Sequence, residues 1–198
     1  MQKKTGLYFG SFNPIHIGHL VIANQMLTNS DLDEIWFVIS PQNPLKEKSS
    51  LLEDHHRLAM VKIAIDDNPD FRSCDIEFKL PQPSYTIHTL VNLEDLYPRR
   101  LFCLIIGSDN LSSFNKWFNY EEILLRYEVY VYPRPQFDGG EFATHPAVKW
   151  VASPLMEISS SYIRKAIQNG KSVKYLLPDK VLNYISEMHF YEKKNTNA

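Results

Sequence analysis

Residues 6–19 read Gly-Leu-Tyr-Phe-Gly-Ser-Phe-Asn-Pro-Ile-His-Ile-Gly-His, and this stretch limits what the chain can fold into more than any other. Leu7-Tyr8-Phe9 has strand character, since bulky apolar side chains suit a buried pleated surface. Gly10, Ser11, Asn13 and Pro14 then break the strand with turn chemistry. From Leu20 to Leu27 the residues are apolar enough for a buried helix. A tight turn therefore joins the end of a strand to the start of a helix. In an open parallel sheet such a junction is where ligands bind, and the unpaired N–H groups of the helix start suit a phosphate.

His16 and His19 lie in this turn, three residues apart, and share one side of the helix if it has begun by then. Both imidazoles can donate to phosphate oxygens, and either can carry charge near neutral pH. Spacing alone would suit a surface pair or a chance metal-like pattern. The strand–turn–helix setting is what favours a phosphate site.

The remaining chain repeats the alternation. Strands are expected at Glu34–Ser40, Phe71–Leu80, Leu101–Gly107, Glu128–Tyr132 and Val148–Val151, with Leu101–Gly107 the most apolar and hence central. Helices are expected at Glu53–Ile65, from Tyr85 to about Tyr97, at Asn110–Phe118, at Tyr120–Arg126 with Asn119 as cap, from Glu157 to Asn169, and from Pro178 to Met188. Residues 134–145, with Gly139-Gly140, read as a mobile loop. This order predicts an α/β class: a Rossmann-like, doubly wound parallel sheet with helices on both faces. One domain over 1–192 and a polar tail at 193–198 fit the 198 residues.

The net charge of −2 shows no basic excess, so nucleic acid is not an expected partner. No apolar run approaches the roughly 18 residues of a membrane span, and no signal-peptide core follows Met1. Cys74 and Cys103 fall in expected strands, as reduced core thiols would in a cytoplasmic protein.

Polar residues recur just beyond strand ends: Pro41–Ser50 with Lys46, then Ser108-Asp109 after Gly107. Ile158-Ser159-Ser160-Ser161-Tyr162-Ile163-Arg164 starts a helix with serines that can cap it or meet an anion. Taken with His-x-Gly-His, this segment resembles the Ile-Ser-Ser-Thr-x-Ile-Arg motif of the nicotinate mononucleotide adenylyltransferases, within the nucleotidyltransferases that share an HIGH motif with class I aminoacyl-tRNA synthetases. Ser84-Tyr85-Thr86-Ile87-His88-Thr89-Leu90, Gly107-Ser108-Asp109 with Trp117, the Pro41–Lys46 loop and the closing helix from Leu177 are similar to further motifs of that family, in order along nearly the whole chain.

The resemblance implies transfer of AMP from ATP to nicotinate mononucleotide, with Mg²⁺ accompanying ATP and no metal-ligating residue assigned. It implies catalytic roles for His16, His19, Lys46 and Arg164, and an ATP site of Gly10, Ser11, Phe12, Gly18, Ser159, Ser160 and Ser161. It assigns Ser84, Tyr85, Thr86, Gly107, Asp109 and Trp117 to the remaining substrate contacts, with Asp109 on a ribose hydroxyl and Trp117 on the pyridine ring. Four positions depart from the family pattern: Phe9 replaces a glycine, Asn13 an aspartate, His88 an aspartate, and Leu45 the usual histidine beside Lys46, in a loop that is short. Alternatives are another phosphorylated acceptor, such as the amide mononucleotide, or a nucleotide-binding module without turnover. The oligomeric state is not legible.

Overall fold

The computed structural model describes residues 2–41 and 51–193. The chain runs through β1 (Lys3–Gly10), α1 (Ile17–Thr28), β2 (Glu34–Ile39), α2 (Asp54–Ala64), β3 (Phe71–Cys74), α3 (Thr86–Leu96) and β4 (Arg100–Gly107). It continues with α4 (Ser108–Leu111), α5 (Tyr120–Arg126), β5 (Val129–Tyr132), β6 (Val148–Trp150), α6 (Ser160–Gln168) and α7 (Asp179–Glu187). The strands form one parallel sheet in the order β3-β2-β1-β4-β5-β6. The order reverses between β1 and β4, which opens a crevice at their carboxyl ends.

The period-two alternation of each strand divides the core between the two faces of the sheet. Tyr8, Phe37, Ile39, Cys103, Ile105, Tyr130 and Tyr132 pack on one side with residues of α1, α2, α6 and α7. Leu7, Trp36, Val38, Leu104, Ile106, Val129 and Val131 pack on the other with residues of α3, α4 and α5. Both cysteines are buried and unpaired, as expected of core thiols.

Three local expectations are corrected. The strand expected to reach Leu80 stops at Cys74, where its pairing with Val38 ends, and Ile76–Lys79 turns as a 3-10 helix that buries Glu77. The helix expected over Asn110–Phe118 breaks after Leu111 and resumes as a 3-10 turn at Phe114–Lys116. Ser112 Oγ donates to Ser108 O at 2.9 Å and Ser113 Oγ to Asn110 O at 3.3 Å, a local competition typical of serine. Asn119 precedes α5 but is left-handed (φ 51°), and its side chain makes no cap bond.

The 134–145 loop is packed. Trp150 Nε1 donates to Ala143 O at 2.9 Å, Asn115 Nδ2 to Glu141 Oε1 at 2.9 Å, and Phe142 sits edge-on to Phe114 and Tyr120.

At the carboxyl ends of β1 and β2 one side chain ties the chain together. Arg57 of α2 is fully buried; its Nη1 donates to Ser11 O and Ser40 O, both at 2.7 Å. Its Nε donates to Leu52 O at 3.0 Å and its Nη2 to Pro41 O at 3.2 Å, and Asp54 pairs with the charge. Removing the guanidinium would leave four carbonyls without this donor. Arg57→Met should therefore lower the unfolding free energy by about 3–5 kcal/mol in urea titrations, with Arg57→Lys recovering only part. A loss below about 1 kcal/mol, the worth of a surface pair, would show that the clamp is dispensable.

Candidate active site

The crevice at the switch point collects most of the residues singled out from the sequence. β1 ends at Gly10, and Phe12 follows in a left-handed conformation (φ 44°), fully buried between Tyr8, His19 and Phe37. Such a backbone costs a bulky residue about 1–3 kcal/mol, so its packing must hold it there. The Phe12 ring folds back onto Gly10, where a Cβ would stand 2.8 Å from it. The turn then delivers His16 to the N-cap of α1 and His19 to its first turn.

The imidazoles of His16 and His19 stack with centroids 3.7 Å apart. His19 Nδ1 accepts from the His16 backbone N–H at 3.2 Å, so a neutral His19 carries its proton on Nε2, as a donor. Gly18 leaves room beside them, since a Cβ there would meet His16 Nδ1 at 3.1 Å and the Ile158 Cβ at 3.6 Å.

The serine segment docks on the same turn. Ser159 caps α6, its Oγ accepting from Tyr162 N at 3.2 Å. Ser160 Oγ donates to Pro14 O at 2.9 Å, while Arg164 donates to Asn13 O at 2.8 Å and to Ser161 Oγ at 3.3 Å. The N-termini of α1 and α6 thus meet at one turn, and Arg164 helps to hold it. Asn13 is buried; its Oδ1 accepts from Tyr191 OH at 2.7 Å and Leu52 N at 3.3 Å.

On the β4 side, Gly107 closes the strand and Asp109 stands in α4. Ser84 and Tyr85 lead into α3, whose first residue is Thr86; Tyr85 occupies its N-cap and makes no side-chain cap bond. Trp117 is half-buried, leaning on Phe114 at 4.9 Å. The ring packed against Tyr85 is the neighbouring Phe118, at 4.7 Å, which the sequence reading did not single out. Lys46 lies outside the described residues.

Arg134 was also missed, although it follows β5 as Asp109 follows β4. Its backbone N–H donates to Ser108 Oγ at 2.8 Å, its Nη1 to Met156 O at 3.1 Å, and its Nε lies 3.8 Å from Asp109 Oδ1. Its charge also acts on both histidines. Four buried side-chain polar atoms make no hydrogen bond among the described residues, and three of them are His16 Nδ1 and the two facing atoms of the loose ion pair, Asp109 Oδ1 and Arg134 Nε. Buried polar groups are normally satisfied, so this grouping at the crevice marks where a polar ligand belongs.

The expectation of charge on the histidines near neutral pH is corrected. Burial, with the Arg134 charge adding to it, pushes the His16 imidazole down from 6.5 to about 4. Burial, then His16 and Arg134, holds His19 well below 6.5. Both are neutral donors at pH 7 in the unliganded protein.

The profile of the cytidylyltransferase-like family matches residues 7–166. The chain is 52% identical over 192 residues to a Flavobacterium psychrophilum protein, covering 96% of this chain and all of the relative. It is 49% identical over 186 residues to one from Bacteroides thetaiotaomicron, covering 94% and 92% of the two chains. Both relatives are named probable nicotinate-nucleotide adenylyltransferases. The structure is similar to that of Plasmodium falciparum nicotinic acid mononucleotide adenylyltransferase complexed with NaAD, with TM-score 0.80 and 24% identity over 96% and 97% of the two chains. That likeness bears on the fold, and it matches the open, doubly wound parallel sheet expected from the sequence.

The depressed His16 has a consequence for stability. Between about pH 6.5 and 4 the unfolded chain binds a proton at His16 that the folded chain refuses. Stability is therefore full above pH 6.5 and is lost as the pH falls toward 4, by roughly 3 kcal/mol from this group. Denaturant titrations at several pH values should show a smaller loss in His16→Asn than in the unmodified protein. Parallel losses in the two proteins would mean that His16 titrates normally.

Proposed function

The chain belongs to the nicotinate-nucleotide adenylyltransferases of the cytidylyltransferase-like family, and from that premise we propose how its residues divide the work. The enzyme transfers AMP from ATP to nicotinate mononucleotide, giving nicotinate adenine dinucleotide and pyrophosphate in NAD biosynthesis. A phosphate oxygen of the acceptor attacks the α-phosphorus of ATP, and the bond to the β-bridging oxygen breaks. The attacking phosphate oxygen is already anionic, so catalysis reduces to in-line alignment and neutralisation of charge on the α-phosphate and the leaving group.

The observation that carries our assignment is the meeting of two helix starts with polar atoms of His16 and Arg134 that make no hydrogen bond among the described residues. The triphosphate lies across this place, on backbone N–H groups from Gly10 to Phe12 and at the starts of α1 and α6. His16 and His19 donate to it, Ser159, Ser160 and Ser161 line it, and Gly18 leaves it room. Arg134 adds positive charge, and Arg164 contributes both charge and support through its bond to Asn13 O. Lys46 is a further cation by resemblance. Asp109 accepts from a ribose hydroxyl, and Ser84 to Thr86, Gly107 and Trp117 receive the acceptor nucleotide.

The turn itself does not make a metal-ligand set. The Asn13 amide oxygen is committed to Tyr191 and Leu52. Among the described residues the trio with metal-ligand spacing is Glu53, His55 and His56 at the start of α2, outside the turn. We therefore treat Mg²⁺ as part of the substrate MgATP, held by phosphate oxygens. No described helix is long and apolar enough to cross a membrane; the buried, unpaired thiols suit the cytoplasm we infer for the enzyme.

Two measurements test the assignments. His16→Ala and His19→Ala should each lower kcat by roughly 10²–10³ while changing ATP affinity much less, as loss of a donor to developing charge does. Near-normal kcat in both variants would remove the histidines from the chemistry. The second concerns the acceptor. Tyr85 leaves the N–H groups of Thr86 and Ile87 without a side-chain cap, and these donors suit the carboxylate of the acid mononucleotide. The NH₂ of the amide would leave a donor unpaired at a cost of about 1–3 kcal/mol. The value of kcat/KM should then favour the acid by about tenfold or more; equal values, or a preference for the amide, would show that α3 does not face the pyridine substituent.

A further inference from the structure

Glu77 is a buried acid that the scheme above does not use. It is 3% exposed and sits on the short turn Ile76–Lys79. Thr89 Oγ1 donates to its carboxylate at 2.7 Å. The hydroxyls of Ser40 and Ser84 face the same carboxylate and favour its ionised form against burial, which is the larger effect and raises its pKa. The Glu77 backbone carbonyl accepts from Gln82 Nε2 at 3.0 Å, and that amide also reaches Leu80 O at 3.3 Å.

Three segments therefore converge on this residue: the end of β2 through Ser40, the loop before α3 through Gln82 and Ser84, and α3 itself through Thr89. A buried carboxylate is costly unless donors surround it, and an apolar residue of similar size would serve packing as well or better. Its neighbouring donors come from the loop and helix that flank Thr86 and from the strand end beside the crevice. Where the carboxylate stands decides where the first turn of α3 stands.

We infer that Glu77 is a positioning residue for the acceptor nucleotide: by anchoring Thr89 and the 80–85 loop against the end of β2, it sets Thr86 and the opening N–H groups of α3 at the height of the pyridine substituent. The inference rests on the reading that residues 84–86 receive the mononucleotide. It assigns Glu77 no contact with ATP or with the reacting phosphate.

The test is steady-state kinetics with nicotinate mononucleotide and MgATP varied separately, and thermal unfolding in parallel. Glu77→Gln keeps the volume but turns one acceptor oxygen into a donor. It should raise KM for the mononucleotide about tenfold, the worth of one buried hydrogen bond, and leave KM for MgATP within about twofold. Thr89→Val should act in the same direction and Thr89→Ser should restore the KM, and that pair decides the matter by itself if Glu77→Gln does not fold. A common rise in both KM values, or a lowered melting temperature with an unmoved mononucleotide KM, would make Glu77 a purely structural residue and overturn the inference. Thr86→Pro separates the two ideas, because it removes the first N–H of α3 at the one helix position that accepts proline. If it raises the mononucleotide KM and Glu77→Gln does not, the positioning role falls and the acceptor reading stands; if neither variant moves it, both fall.

Discussion

The carboxyl end of the sheet depends on one buried cation. Parallel strands end in carbonyl groups that point into the crevice with no further strand to receive them. At β1 and β2 this problem falls to Arg57, which collects the carbonyls of Ser11, Ser40, Pro41 and Leu52 in one planar fork. Burying a guanidinium lowers its pKa, and the Asp54 charge opposes that. The arrangement fixes the turn after β1 through its Ser11 carbonyl. The opposite end of the sheet uses the inverse device: buried Glu34 accepts from Thr5 Oγ1 at 2.8 Å and Trp36 Nε1 at 3.0 Å, and pairs with Arg100.

A site for a polyanion has to tolerate its own charges while empty. Stacking His16 on His19 beside Arg134 does this by leaving the imidazoles neutral: burial and the guanidinium both disfavour a second or third cation. On the proposed assignment an arriving triphosphate would shift the balance, because its negative charge favours the protonated rings. The resting structure holds less than its full positive charge, and a substrate bound there would complete the field. Arg134 is the fixed part of that field, anchored by Ser108 Oγ and Met156 O.

Much of this was legible in the chain, for reasons that vary by residue. The strands were readable because burial on both faces makes them continuous apolar runs, and the β1 turn because glycine, proline and paired histidines interrupt such a run at once. Phe71–Leu80 misled because its alternation persists beyond Cys74, whereas pairing depends on where β2 ends. Arg57 reads as an ordinary base on an amphipathic helix; the carbonyls that bury it come from segments up to 46 residues away. Arg134 had a signal that went unused, since the rule that marks Asp109 after β4 marks Arg134 after β5. Glu77 was hidden by the strand expectation, because the turn at Ile76–Lys79 is what buries it.

Asn13 joins these themes. It is 2% exposed, in the turn on which α6 docks, and its Oδ1 accepts from Tyr191 OH and Leu52 N. An aspartate could accept the same two bonds, but it would also bring a charge: a carboxylate here would stand beside Arg164, already bound to the Asn13 carbonyl, and within the turn proposed to receive phosphates. At low effective dielectric such a charge would draw on Arg164 and repel the triphosphate. The amide makes the structural bonds and leaves the positive field to the ligand. With neutral histidines on one side of the turn and a neutral amide on the other, Arg134 and Arg164 supply the permanent positive charge among the described residues placed at this site, part of it offset by Asp109 beside Arg134. That economy suits a reaction whose own substrates bring all the negative charge the mechanism requires.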